Sequence, residues 1–125
     1  MTEFIRSPEF DHDMKKLSKD FRSLEDDLGT FTMALSARIP AGLPGIERIA
    51  NLGEAVSDPV FKVRKFRCQS LKGRGSRSGL RVIYAYDSVT DSITFIEIYF
   101  KGNQENEDRE RIIRYMKSWN MDSGN

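Results

Sequence analysis

The chain has 125 residues, 38% hydrophobic and 31% charged, with a formal net charge of +1, one cysteine and one histidine. A lone Cys68 cannot close an internal disulfide and a lone His12 cannot build a metal cage, which excludes disulfide scaffolds and zinc modules. No window approaches the roughly 18 consecutive apolar residues of a membrane span, and the first ten residues lack the layout of a secretory signal. The expectation is one domain over residues 1–125, cytoplasmic, with no membrane partner.

Phe4-Ile5-Arg6 is long enough for a brief edge strand. Ser7-Pro8-Glu9 then reads as a helix start: a hydroxyl cap, a proline at the first helical position and an acid facing the dipole. Apolar residues follow at Phe10, Met14, Leu17, Phe21, Leu24, Leu28 and Phe31, spaced by four and three. That stripe predicts a long amphipathic helix, or one with a break near Gly29. Its role is packing rather than cofactor binding.

From Ile39 to Asp58 the chain is punctuated by Pro40, Gly42, Pro44, Gly45 and Gly53, as expected of a connector. Ile46, Ile49 and Leu52 could pin a short helical turn to the core. Three strand-like runs come next: Val60 to Cys68, Leu80 to Tyr86 and Ile93 to Phe100. The turn at Val89-Thr90-Asp91-Ser92 makes the last two antiparallel. Asn103 or Asn106 can cap a final helix, whose buried face is marked by Ile112, Tyr115, Met116 and Trp119. The order predicts an α+β fold with a small, mainly antiparallel sheet. An N-terminal helix or helical hairpin and a C-terminal helix pack on it, against one sheet face.

Charge is unevenly distributed. From Pro59 to Tyr86 lie Lys62, Arg64, Lys65, Arg67, Lys72, Arg74, Arg77 and Arg81 with no Asp or Glu, while the rest of the chain is net −7. A basic block in an acidic remainder suits a polyanion partner. The loop Gly73-Arg74-Gly75-Ser76-Arg77-Ser78-Gly79 joins two strands and lacks the Gly-Lys-Ser/Thr of a phosphate loop. It offers mobile amides and guanidinium groups to a phosphate chain instead.

Strand periodicity sharpens the picture. If Phe61, Val63, Val82, Tyr84, Ile96 and Ile98 face the helices, the other face collects Lys62, Arg64, Arg81, Tyr99 and Lys101. Mutual repulsion on such a face would lower lysine pKa values, which favours proton transfer. His12, between Asp11 and Asp13, reads as a surface histidine because adjacent helical residues point apart. Cys68 reads as a half-buried strand residue, not a nucleophile.

The pieces Phe61-Lys62-Val63-Arg64, Ser78-Gly79-Leu80-Arg81-Val82-Ile83-Tyr84 and Ile96-Glu97-Ile98-Tyr99-Phe100-Lys101-Gly102 resemble the RelE/ParE superfamily of toxins from toxin–antitoxin modules. The RelE/HigB-like branch is the nearest. The resemblance implies a RelE-like fold, no metal or organic cofactor, and a ribosome-dependent mRNA endoribonuclease that inhibits translation. Its implied partners are the ribosome, mRNA and a cognate antitoxin protein. Carried over residue by residue, Arg81 matches the phosphate-gripping arginine. Lys62 and Arg64 match the basic pair on the preceding strand, with Lys62 as the favoured general base. Lys101 falls at the candidate general acid. Arg67, Lys72, Arg74, Arg77 and Tyr99 become RNA-binding residues. The family's C-terminal catalytic tyrosine has only Tyr99 and Tyr115 as candidates. Two alternatives stay open: a ParE-like toxin directed at gyrase, and a catalytically degenerate member that binds RNA or an antitoxin.

Overall fold

Ser7, Pro8 and Glu9 open the first helix as their chemistry suggests. In the computed structural model of the chain, Ser7 Oγ accepts the Phe10 N–H at 3.1 Å, and Pro8 takes the first helical position. The structure describes residues 2–39, 43, 45–53, 56, 59–71 and 78–123, with side chains to residue 118. Among these the elements run β1 (Glu3–Arg6), α1 (Pro8–Leu17), α2 (Leu24–Ser36), β2 (Ile46–Arg48), β3 (Val60–Val63), β4 (Leu80–Asp87), β5 (Ser92–Phe100) and α3 (Arg109–Ser123). The sheet order is β1-β5-β4-β3-β2. β1 pairs parallel with β5 and every other pairing is antiparallel, so the α+β fold is built on a mixed sheet.

The long stripe does become two helices, but the break falls at residues 18–23 and not at Gly29, which sits inside α2. A tertiary contact decides this. The Ser23 N–H donates to Ser70 Oγ at 2.8 Å, Ser70 N–H donates to Ser23 Oγ at 2.8 Å, and Ser23 Oγ donates to Asp27 Oδ2 at 2.6 Å. The start of α2 is thereby stapled to a loop 47 residues downstream. All seven stripe residues still enter one core, with Phe10, Met14, Phe21, Leu24 and Leu28 buried and Leu17 and Phe31 packed at its margin. Each fully buried large side chain there contributes about 1.5–3 kcal/mol.

The connector differs from expectation. Ile46 belongs to a short strand, β2, rather than to a helical turn, because Arg48, Glu47 and Ile46 pair with Phe61, Lys62 and Val63. The Arg64 N–H donates to Gly45 O at 2.9 Å at the end of that ladder. Gly45 has φ +83°, and a Cβ there would run into the Lys65 side chain.

The sheet has helices on both faces, not one. α1 and α2 cover Val63, Leu80, Val82, Tyr84, Ile93, Phe95 and Ile98. On the opposite face Ile112 and Met116 of α3 pack with Leu52, Val60, Ile83, Ala85, Ile96 and Tyr99. A bulge accounts for part of the change. Ile83 pairs with Glu97 while Tyr84 pairs with Phe95, which leaves Ile96 as an extra residue in β5. An extra residue inverts the alternation of everything beyond it. Ile96 and Ile98, expected on one face, therefore lie on opposite faces.

The bulge is held from both sides. Ile96 O accepts from Arg111 Nη1 at 3.2 Å, and Asp13 Oδ2 accepts the Ile98 N–H at 3.2 Å. Arg111 Nη1 also donates to Asp13 Oδ2 at 2.6 Å, so α1 and α3 meet at the edge of β5.

Candidate functional site

Strand register assembles the site. Lys62 pairs with Ile83, Ile83 with Glu97, and Arg81 with Tyr99. Side chains of directly opposed residues share a face, so Lys62, Glu97, Arg81 and Tyr99 all belong to the α3 side of the sheet. The sequence-predicted grouping of Lys62, Arg81 and Tyr99 is thus met in space. Its predicted character is not.

Lys62 is buried, 8% exposed, and Nζ lies 2.8 Å from Glu107 Oε1. Burial works against the ammonium, but hydrogen bonding and charge from Glu107 and Tyr99 outweigh it and the Lys62 pKa is raised. This corrects the expectation of a lysine lowered by like-charge repulsion: the nearest ionised neighbour is an acid. On the same pair, burial opposes the Glu107 carboxylate, yet Lys62 and Arg109 hold its pKa below the ordinary value. Glu107 lies two residues before the start of α3 and brings the acid to the strand face from 45 residues away.

A second acid lies in the same layer. Glu97, 2% exposed, accepts from Gln104 Nε2 and from the Asp108 N–H, each at 2.9 Å. Burial pushes its carboxyl up despite those donors. Asp108 in turn accepts the Arg111 N–H at 3.0 Å, so it caps α3 where Asn103 or Asn106 was expected. The buried acids of this face were missed because charge was counted along the chain. Glu97 did leave a signal, as the one acid in the most apolar run of the sequence.

Tyr99 is 4% exposed beneath α3, so it does not present an open ring for a base to stack on. Its hydroxyl is buried beside the Lys62 ammonium and donates to no acceptor among the described residues. Burial raises its pKa, with hydrogen bonding to Lys62 and then the Lys62 charge pulling the other way. Tyr115 on α3 is half-buried, and burial raises its pKa too.

The remaining basic residues are spread more widely. Arg81 is half-buried and forms no ion pair among the described residues; its Nη1 donates to its neighbour Leu80 O at 3.3 Å. Arg64 is exposed and sits 3.3 Å from Glu47. Lys101 is exposed in the turn after β5, and Arg67 is exposed beyond β3. Lys72, Arg74 and Arg77 lie outside the described residues. The Ser78-Gly79 pair before Arg81 is architectural. Ser78 Oγ donates to Phe66 O and accepts the Leu80 N–H, and Gly79 has φ +82° with a Cβ position 3.1 Å from the Phe100 ring.

His12 is exposed on α1. Cys68 is buried rather than half-buried, 3.6 Å from Ser23 Oγ. Among the described residues no three His, Cys, Asp or Glu side chains gather to hold a metal ion, and no helix is long and apolar enough to cross a membrane.

Chemically, the arrangement supplies a fixed ammonium at Lys62, a guanidinium at Arg81 and a phenol at Tyr99 beside the ammonium. Those groups can hold a developing negative charge. A lysine held protonated beside a carboxylate is a charge stabiliser and proton donor, not a resting base. No protein-family model matches the chain, and no curated protein matches it.

Proposed function

We propose that this protein is the toxin of a toxin–antitoxin pair, an endoribonuclease that cleaves mRNA on the ribosome and is silenced by its antitoxin. The observation that carries the reading is the convergence of Lys62, Arg81 and Tyr99 on one sheet face, with Arg64 and Lys101 exposed at the ends of neighbouring strands. The resemblance of the Ser78 to Tyr84 string to the RelE/HigB-like branch supports it. Cleavage without a metal requires the ribose 2′-OH to lose a proton, the phosphorane charge to be held and the leaving 5′-oxygen to gain a proton. Arg81 grips the phosphate. Protonated Lys62 neutralises the phosphorane or donates to the leaving oxygen, a role its raised pKa favours over that of base. Lys101 is the second candidate acid, and the 2′-OH proton passes to water because Lys62 is held protonated.

Primer extension on a translated mRNA, with and without this protein, tests the activity; new 3′ ends within the coding region are expected only in its presence. Arg81→Ala should abolish both cleavage and growth arrest. A translated message left intact by the wild-type chain overturns the reading.

One observation favours a second reading, a degenerate member that binds RNA or an antitoxin without cutting. Lys62 is occupied by Glu107, and that pairing suits binding by exchange of ion partners more readily than proton abstraction. Intact RNA retained by the wild-type protein would select it.

A further inference from the structure

The Lys62–Glu107 contact has features of a place kept for another anion. Both side chains are largely withdrawn from water, 10% and 12% exposed, where an ion pair recovers little more than its own desolvation cost. The pair also leaves a partner wanting. The Tyr99 hydroxyl, on a side chain 4% exposed, interacts with the Lys62 ammonium and donates to no acceptor among the described residues. The Glu107 carboxylate accepts no hydrogen bond from it. A buried phenol proton without an acceptor leaves the site as built under-satisfied.

We propose that Glu107 is an internal stand-in for a phosphodiester of RNA, occupying the place beside Lys62 and Tyr99 until a phosphate group displaces it. The inference rests on the RNA-directed function proposed above and specifies where one phosphate is received. A tetrahedral phosphate directs its oxygens more widely than a carboxylate, so one group can accept from Lys62 Nζ and Tyr99 Oη together. Arg81 lies opposite Tyr99 in the β4–β5 ladder and has no ion pair among the described residues. It is the next cation that group, or its neighbour along the chain, meets.

The displaced acid has somewhere to go. Glu107 Oε2 already lies 3.9 Å from Arg109 Nη1, on a side chain 42% exposed. Arg109 is itself anchored, donating from Nη2 to Ala50 O at 3.0 Å and to Asn51 O at 2.6 Å. A side-chain rotation of Glu107 therefore trades a buried cation for a more exposed one. α3 can stay docked, because Asp108 N–H to Glu97 and Arg111 to Asp13 hold its first turn independently of Glu107.

The test is binding of a short 2′-O-methyl RNA, which cannot be cleaved, followed by fluorescence anisotropy at fixed salt. Glu107→Gln should bind it about tenfold more tightly than the wild type, the worth of one charge-assisted hydrogen bond released to the ligand. In a Lys62→Met background the same substitution should bring no gain. Glu107→Asp, which draws the carboxylate back by one methylene, should give a smaller gain and serves where the Gln variant fails to fold. Wild-type binding that Glu107→Gln and Glu107→Asp leave equal or weaker overturns the internal competitor while leaving the RNA reading standing. Absence of RNA binding in every variant overturns both. A gain that persists in the Lys62→Met background also overturns the proposal, because the effect is then general charge and not competition for Lys62.

Discussion

The two faces of the sheet are made of different chemistry. Under α1 and α2 the layer is apolar and aromatic: Phe10 stacks on Phe95 at 5.2 Å, Phe21 meets Phe100 at 5.2 Å and Tyr84 meets Phe95 edge-on at 6.4 Å. Burial raises the Tyr84 hydroxyl to about 12, so it stays neutral there. Under α3 a smaller apolar cluster shares its layer with Lys62, Glu97, Glu107 and the Tyr99 hydroxyl. The first face gains stability in proportion to buried apolar area. The second gives up part of that gain to hold charged groups in place.

The contrast is broken most forcefully by removing an aromatic. Phe95→Ala, at the centre of the α1/α2 face, should cost about 3–5 kcal/mol, read as a lower midpoint in urea unfolding with little change in slope. A loss below that of any single substitution under α3 would show that the faces are energetically alike. Arg111→Ala comes next. It removes the link from α3 to Asp13 and to the bulge carbonyl of Ile96, leaving Asp13 largely buried without its cation. A loss of about 2–3 kcal/mol is expected, and amide exchange should rise at Ile98, whose N–H is held by the same Asp13.

Acid titration separates the faces more gently. The folded Glu107 pKa lies below its ordinary value of 4.5, so its contribution is present above that pH and is lost as pH falls through the folded value. Glu97 runs the other way: with a raised folded pKa, its contribution is full below pH 4.5 and declines as pH rises through the folded value. Glu107→Gln should therefore flatten the acid-side decline in stability, and Glu97→Gln should steepen it, both followed by thermal unfolding between about pH 3 and 6. The smallest structural effect belongs to Arg81. With no ion pair to break among the described residues, Arg81→Ala should change stability by about 0.5 kcal/mol or less while abolishing growth arrest. A large loss of stability would move Arg81 from the functional group to the structural one.

Ionic strength sharpens the same point. Binding of RNA through the basic block should weaken steeply between low and physiological salt, because each phosphate contact releases condensed counterions. Flat binding would mean that the exposed cations, Arg64, Arg67 and Lys101, contribute nothing to recognition.

Much of this architecture is local and was legible as such. The Ser7-Pro8-Glu9 start, the four-three stripe through Phe31, the turn at Val89 to Ser92 and the pairing of β4 with β5 follow from capping, periodicity and turn chemistry, each acting over a few residues. The shared face of Lys62, Arg81 and Tyr99 followed too, because strand parity holds on each side of the bulge. What required the tertiary structure were contacts between residues far apart in the chain. The break before α2 depends on Ser70, the inversion of Ile96 on the pairing of β5 with β4, and the placement of α3 on the second face on where the chain returns after Phe100. The electrostatics of the site belong to the same class. Lys62 stands in a stretch free of acids and is nonetheless ion-paired, because Glu107 arrives from 45 residues away. Net charge along a sequence is additive and readable, whereas the potential at one buried nitrogen depends on distances of a few ångströms that only the folded chain sets.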